Sequence, residues 1–263
     1  MTHQVAFISH GGGPLPLLGD PQHAQLVDAI RELTRRLRRP NHIVVISAHW
    51  ESDPISVTSG HGRGLLYDYY GFPEESYQIQ YSCKGDQEVS DAIVAAIQKA
   101  GLAVTQDQTR GYDHGVFVPL KLMFPDADIP VTQVSLHPSL NPALHLRLGE
   151  ALSTISRRDV LFIGSGFSFH NMKAFFEHSD ASASANTAFE NWIDQTIMDK
   201  TSIADAEDRL MNWESAPGAR HCHPREEHLL PLHVCYGIKK RSADFRQKFE
   251  IFTVSASNYA WTF

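Results

Sequence analysis

The sequence predicts an α/β protein of one domain, residues 1–263, with a central, mostly parallel sheet flanked by helices. Two observations carry this expectation. Short unbroken apolar runs, Ile43-Val44-Val45-Ile46 and Val160-Leu161-Phe162-Ile163, read as strands covered on both faces, as in the middle of a parallel sheet. They alternate with segments whose apolar residues recur at helical spacing, the order that builds strand–helix–strand units. No internal repeat, low-complexity tract or linker divides the chain, and its length is ample for one core.

Taken in order, Val5–Ile8 is a first strand running into Ser9-His10-Gly11-Gly12-Gly13-Pro14, where glycines permit close backbone approach. This loop lacks the Walker lysine and does not match GxGxxG, so a phosphate cradle is disfavoured. A helix over 22–38 places Leu26, Ala29, Ile30, Leu33 and Leu37 on one face. The central strand follows and ends at His49. Ile55–Thr58 is a further strand, and the aromatic loop over 60–77 has the length of a functional loop. Residues 78–81 read as a strand, 86–100 as a helix and 116–124 as a short helix opened by the loop carrying His114. A strand over 130–136 ends at His137, and a helix over 142–156 buries Leu144, Leu148, Leu152 and Ile155. The strand over 159–164 delivers a flexible loop to His170. Helices over 185–199 and 203–213 come next, then a helix opening near Pro224, with Glu226 and Glu227 in its first turn. Residues 250–255 read as a last strand.

The formal net charge of -7 argues against a nucleic-acid partner, which would favour a basic face. No apolar run approaches the roughly 20 residues that span a bilayer, so no membrane association is expected. Cys83, Cys222 and Cys235 share no metal-finger or CxxC spacing. Their odd number and the lack of a signal peptide point to a reducing, cytoplasmic location. Nothing in the sequence fixes an oligomeric state.

The unusual component is histidine, with 15 residues. His10, His49 and His170 each follow a buried strand and so face one edge of one sheet, where open α/β sheets bind ligands. His228 and His114 stand near helix openings. Neutral imidazole is the commonest protein ligand for zinc and suits iron and copper. Neither HExxH nor CxxC is present, so spacing leaves two readings open: a metal site, or several satisfied core and loop histidines. His3, His23, His42, His61, His145, His178 and His221 belong to the second class or to the surface. His137, His223 and His233 stay open, His223 because it immediately precedes the Pro-Arg-Glu-Glu-His turn.

Six segments, SHGGGP at 9–14, SAHW at 47–50, YDYYGFP at 67–73, DHGVFVPL at 113–120, IGSGFSFHN at 163–171 and HPREEHLLPL at 223–232, carry a resemblance over nearly the whole chain. It is to the class III extradiol ring-cleaving dioxygenases, specifically their DOPA-dioxygenase branch. The resemblance implies cleavage of a catechol, a small aromatic diol, with O2 at a non-haem metal to give a semialdehyde. It implies His10, His49 and His228 as metal ligands. His170 would be the acid/base that also reaches the metal at rest, and His114 a catalytic histidine near the substrate hydroxyl or oxygen. Active enzyme would use Fe(II), with Zn(II) an occupant of the same site. His223, Glu227 and Tyr69 are candidates for supporting the ligands or lining the pocket, and Tyr70, Phe72 and Phe167 for its apolar wall.

One departure bears on the third ligand. Protocatechuate-cleaving relatives use two histidines and a carboxylate, whereas this chain offers His228 with Glu227 beside it. His228 is expected to bind, leaving Glu226 and Glu227 to stabilise the helix end. Two other classes remain open: a zinc hydrolase using the same histidines, which would consume no oxygen, and a non-catalytic binding protein. The presence of all five histidines argues against the latter.

Overall fold

The computed structural model describes residues 3–60, 63–156 and 159–262. Its strands are β1 (Gln4–Ser9), β2 (His42–Glu51), β3 (Ile55–Thr58), β4 (Val104–Asp107), β5 (Val131–Leu136), β6 (Val160–Gly166), β7 (Phe245–Ile251) and β8 (Val254–Trp261). Its helices are α1 (Ala24–Arg36), α2 (Gln87–Lys99), α3 (His114–Met123), α4 (Pro142–Ser153), α5 (Asp180–Ile197), α6 (Ile203–Met211), α7 (Ala219–Cys222) and α8 (Leu230–Lys239). Among the described residues, no helix is long and apolar enough to cross a membrane.

The strands form one sheet in the order β4-β3-β5-β2-β6-β1-β8-β7. Its middle is parallel: β2 lies between β5 and β6, and β6 lies between β2 and β1. Antiparallel pairs join β3 to β5, β1 to β8 and β7 to β8. Ile43, Val44, Val45 and Ile46 are fully buried, as a strand covered on both faces requires.

Helix α8 reaches the sheet through glycines. A Cβ on Gly149 of α4 would fall 2.2 Å from the Val234 carbonyl oxygen, and one on Gly237 of α8 would fall 2.2 Å from that of Leu146. The two helices therefore touch backbone to backbone. On the sheet side, a Cβ on Gly164 would lie 2.5 Å from the Pro231 carbonyl oxygen, and one on Gly166 2.1 Å from that of His228. The start of α8 thus rests directly on β6.

Four expectations are corrected. Residues 78–81 are not a strand: Glu74–Gln78 makes a 3-10 turn, and the chain then runs irregularly over the core. The buried Tyr81 donates its hydroxyl to the Phe124 carbonyl, so the apolar alternation serves packing rather than pairing. Residues 250–255 are not one strand either, because the chain reverses at Phe252 (φ 51°) between β7 and β8. Helix α8 begins at Leu230, so Glu226 and Glu227 are not in its first turn. Glu226 instead accepts from Arg220. Helix α5 starts earlier than expected, at Asp180, because the Ser179 side chain accepts from the Ser182 amide. His61 lies outside the described residues.

Candidate active site

Three neighbouring strands build the site. His10 follows β1 and is pinned there by its amide, which donates to the Gly166 carbonyl at 3.1 Å. His49 lies in β2 where pairing with β5 loses register between Ile46 and Glu51, an irregularity of the kind that re-aims a side chain. Between them β6 ends in Gly164, Ser165 and Gly166, which leave room for the returning chain. There the Phe167 amide donates to the His228 carbonyl at 2.9 Å and fixes the third histidine. Gly11 (φ 90°) allows the loop after His10 to fold close: a Cβ there would fall 2.6 Å from Pro16. His23 holds that loop, accepting from the Gly12 amide at 3.0 Å while its other nitrogen bonds Asp20.

The ring nitrogens converge. His49 Nε2 lies 3.0 Å from His10 Nε2 and 3.3 Å from His228 Nε2. Their tautomers follow from the other nitrogen of each ring. Ser165 donates its hydroxyl to the Gly115 carbonyl, so its oxygen accepts from His10 Nδ1 at 2.9 Å. Glu227 Oε1 accepts from His228 Nδ1 at 2.9 Å, and Asp68 Oδ2 faces His49 Nδ1 at 3.6 Å. With protons on Nδ1 of His10 and His228, and His49 Nδ1 turned towards Asp68, the Nε2 lone pairs are turned on one another. They cannot hydrogen-bond among themselves without a further proton. Burial and then the neighbouring imidazoles hold His10 and His49 well below the ordinary histidine pKa, and burial with His170 pushes His228 down to about 3. Such lone pairs suit a cation. Metal–imidazole bonds of about 2.0–2.1 Å place the nitrogens of neighbouring ligands about 3.0–3.4 Å apart, the spacing of His49 Nε2 from those of His10 and His228. His114 also brings a ring nitrogen within 4.8 Å of those of His10 and His49, and His170, Glu227 and His228 form a second such group.

Two carboxylates organise two further histidines. Asp68 accepts from His114 Nδ1 at 2.8 Å with one oxygen while its other oxygen faces His49. Glu227 Oε1, bonded to His228, also lies 3.3 Å from His170 Nδ1, and the His170 ring stacks on His228 with centroids 3.4 Å apart. Burial alone would raise both acids, but hydrogen bonds from the histidines outweigh it and keep both ionised. Each carboxylate therefore joins one converging ring to one that faces the cavity. The sequence reading missed Asp68; its signal was a lone acid inside the aromatic run YDYYGFP. It also missed Asp113, which is fully buried and accepts from Ser47, Gln133 and Arg110 beneath His49.

Over the histidines opens a cavity of about 360 Å³. Tyr69, Phe72 and Phe167 line it, with the Tyr69 hydroxyl engaged by the Ser76 carbonyl. Tyr70 does not, being 91% exposed. His223 stays outside the cavity and is buried, donating to the Ser168 carbonyl at 2.9 Å to prop the loop that carries His170. His137 turns instead to Ser139 and Asp53, and the buried His233 bonds the Leu210 carbonyl. His3, His42 and His145 are buried with partners of their own.

Fold and site together define an α/β metal-dependent enzyme with a histidine cluster at the floor of an aromatic-walled cavity. The sequence profile of the catalytic LigB subunit of aromatic ring-opening dioxygenases matches residues 4–262, and the chain belongs to that family. It is a non-haem extradiol dioxygenase whose reactants are an aromatic compound and O2. Membership supports ring opening over the hydrolase and the non-catalytic binding protein. The chain is 39% identical to dioxygenase tasH of Hapsidospora irregularis, covering 89% of this chain and 77% of that one. It is 36% identical to the 4,5-DOPA dioxygenase extradiol of Beta vulgaris, covering 89% and 86%. A crystal structure of an uncharacterized Escherichia coli K12 protein superposes with TM-score 0.78 at 26% identity, covering 99% of this chain and all of that one.

Proposed function

We propose that the chain opens the ring of a catechol beside its two hydroxyls, giving a semialdehyde, with Fe(II) held by His10, His49 and His228. The observation that carries this is the convergence of three Nε2 lone pairs at the floor of a ring-sized apolar cavity. Iron bound there would supply Lewis acidity towards the diol and redox chemistry with O2. Everything else falls to the protein. His170 and His114 face the cavity with Nδ1 turned to a carboxylate, which leaves Nε2 free to take a proton. His170 takes the proton of one substrate hydroxyl, and His114, taking that of the other, then presents it to the oxygen that adds to the ring. Proton handling of this kind contributes roughly 10²–10⁴-fold. Tyr69, Phe72 and Phe167 exclude water and hold the ring flat in place.

Three neutral imidazoles carry no charge to discriminate between divalent ions, so Zn(II) would occupy the same ligands without the redox chemistry. Iron must therefore be set by the experiment. The test is anaerobic loading with Fe(II), then a panel of catechols in air. Oxygen uptake matched by the yellow absorbance of a semialdehyde is the expected result. Intact diol with no oxygen consumed across the panel would overturn the proposal.

A further inference from the structure

The substituent end of the cavity differs from its histidine floor. A chain of ring contacts, Phe167 to Phe175 to Phe252 to Phe176, leads from the end of β6 to the mouth, with centroids 5.6, 5.7 and 5.0 Å apart. Phe176 is 62% exposed and Met172 is 63% exposed, and both line the cavity. Large apolar side chains left in water at the mouth of a cavity mark a surface that an apolar ligand covers. A bare dihydroxybenzene fills only a fraction of the 360 Å³ available.

Charge is missing where a carboxylate would need it. Among the described residues lining the cavity there is no lysine or arginine, and no serine, threonine, asparagine or glutamine. The two arginines behind the histidines are already engaged: Arg225 grips both oxygens of Glu51 and approaches Glu227, while Arg110 bonds Asp113. Lys173 follows Met172 but is not among the lining residues. Asp68 and Glu227 stand behind the rings, each already bonded to a histidine. A carboxylate at the phenylalanine end of the cavity would lose water without gaining a partner there, the costly case.

Resting on the ring-cleaving reading above, we infer that the substrate is a catechol with a neutral, apolar substituent. That substituent lies along the phenylalanine wall and emerges between Met172 and Phe176. Catechols whose side chain ends in a carboxylate are disfavoured.

The test compares a butyl catechol with the catechol bearing a propanoate chain, on the Fe(II)-loaded protein. Turnover is measured in air and binding by anaerobic calorimetry. The butyl compound should show a kcat/KM at least about tenfold higher, and bind at least about tenfold tighter. Phe176→Arg, an exposed change, should shrink or reverse both ratios by supplying a cation at the mouth, whereas Lys173→Gln should leave them unchanged. Equal or better use of the propanoate compound by the wild type would overturn the inference, as would a preference that vanishes in Lys173→Gln. If neither compound is turned over yet the butyl one still binds tighter, the apolar pocket stands and the ring-cleaving reading falls.

Discussion

At the scale of single residues, the site divides its labour between lone pairs that converge and carboxylates that aim them. His170→Ala should keep most of the metal while turnover falls by roughly 10²–10⁴-fold, because the role proposed for the ring is proton transfer. Metal content by mass spectrometry decides: a loss as complete as in His49→Ala would make His170 an obligatory ligand. Asp68 is bonded to His114 and faces His49, so Asp68→Asn should disturb both. A metal affinity lower by about 10–100-fold, with turnover also reduced at saturating metal, is the expected pair of effects. An affinity unchanged within error would show that the 3.6 Å approach to His49 does nothing for binding. The reason Asp68 escaped the sequence reading is physical. It stands 46 positions from His114, and nothing local marks which way a loop acid will turn.

At the scale of elements, positions set by a run of buried apolar residues were legible, and positions set by turns were not. Ile43–Ile46 announced β2, and the strand ends announced where His10 and His49 would gather. The third converging histidine depended on a different signal. His228 sits in a turn before α8, and Glu227 earns its place as a hydrogen-bond acceptor for two imidazoles rather than through any helix dipole. The close seat of that turn on β6 gives a prediction. Gly166→Ala would thrust a Cβ to 2.1 Å from the His228 carbonyl oxygen, so the turn must lift. Overpacking of this kind costs about 1–3 kcal/mol, and metal affinity should fall with stability even though no ligand is changed. Chemical denaturation and metal titration of the variant check the two effects separately; normal values of both would show that the turn adapts freely.

At the scale of the whole molecule, acid should unfold the protein through histidines remote from the site. His145 on α4 donates from Nδ1 to the Asn141 carbonyl and accepts from the His137 amide. Burial holds it down to about 4, and burial likewise holds His233 on α8 down to about 4. Both titrate near 6.5 when unfolded, so between those values the unfolded chain binds more protons. Stability should therefore be level above about pH 6.5 and fall as pH drops towards 4, by about 3 kcal/mol for each group. Melting temperatures across that range should show the slope, and His145→Gln should make it shallower; an identical slope would exonerate His145.

The three converging histidines come from an early strand, the central strand and a turn near residue 228. An ion bound by all three would knot the chain into closed loops roughly 40 and roughly 180 residues long, as a pair of cross-links would. Its effect then reaches past chemistry to the persistence of the fold. Metal present at about 100 times its dissociation constant adds about 2.7 kcal/mol, so stripping it with a chelator should lower the melting temperature by about 5–10 °C. The same clasp should slow digestion by a protease that attacks only opened chains, so that the loaded protein outlives the stripped one in proportion to the free ion supplied.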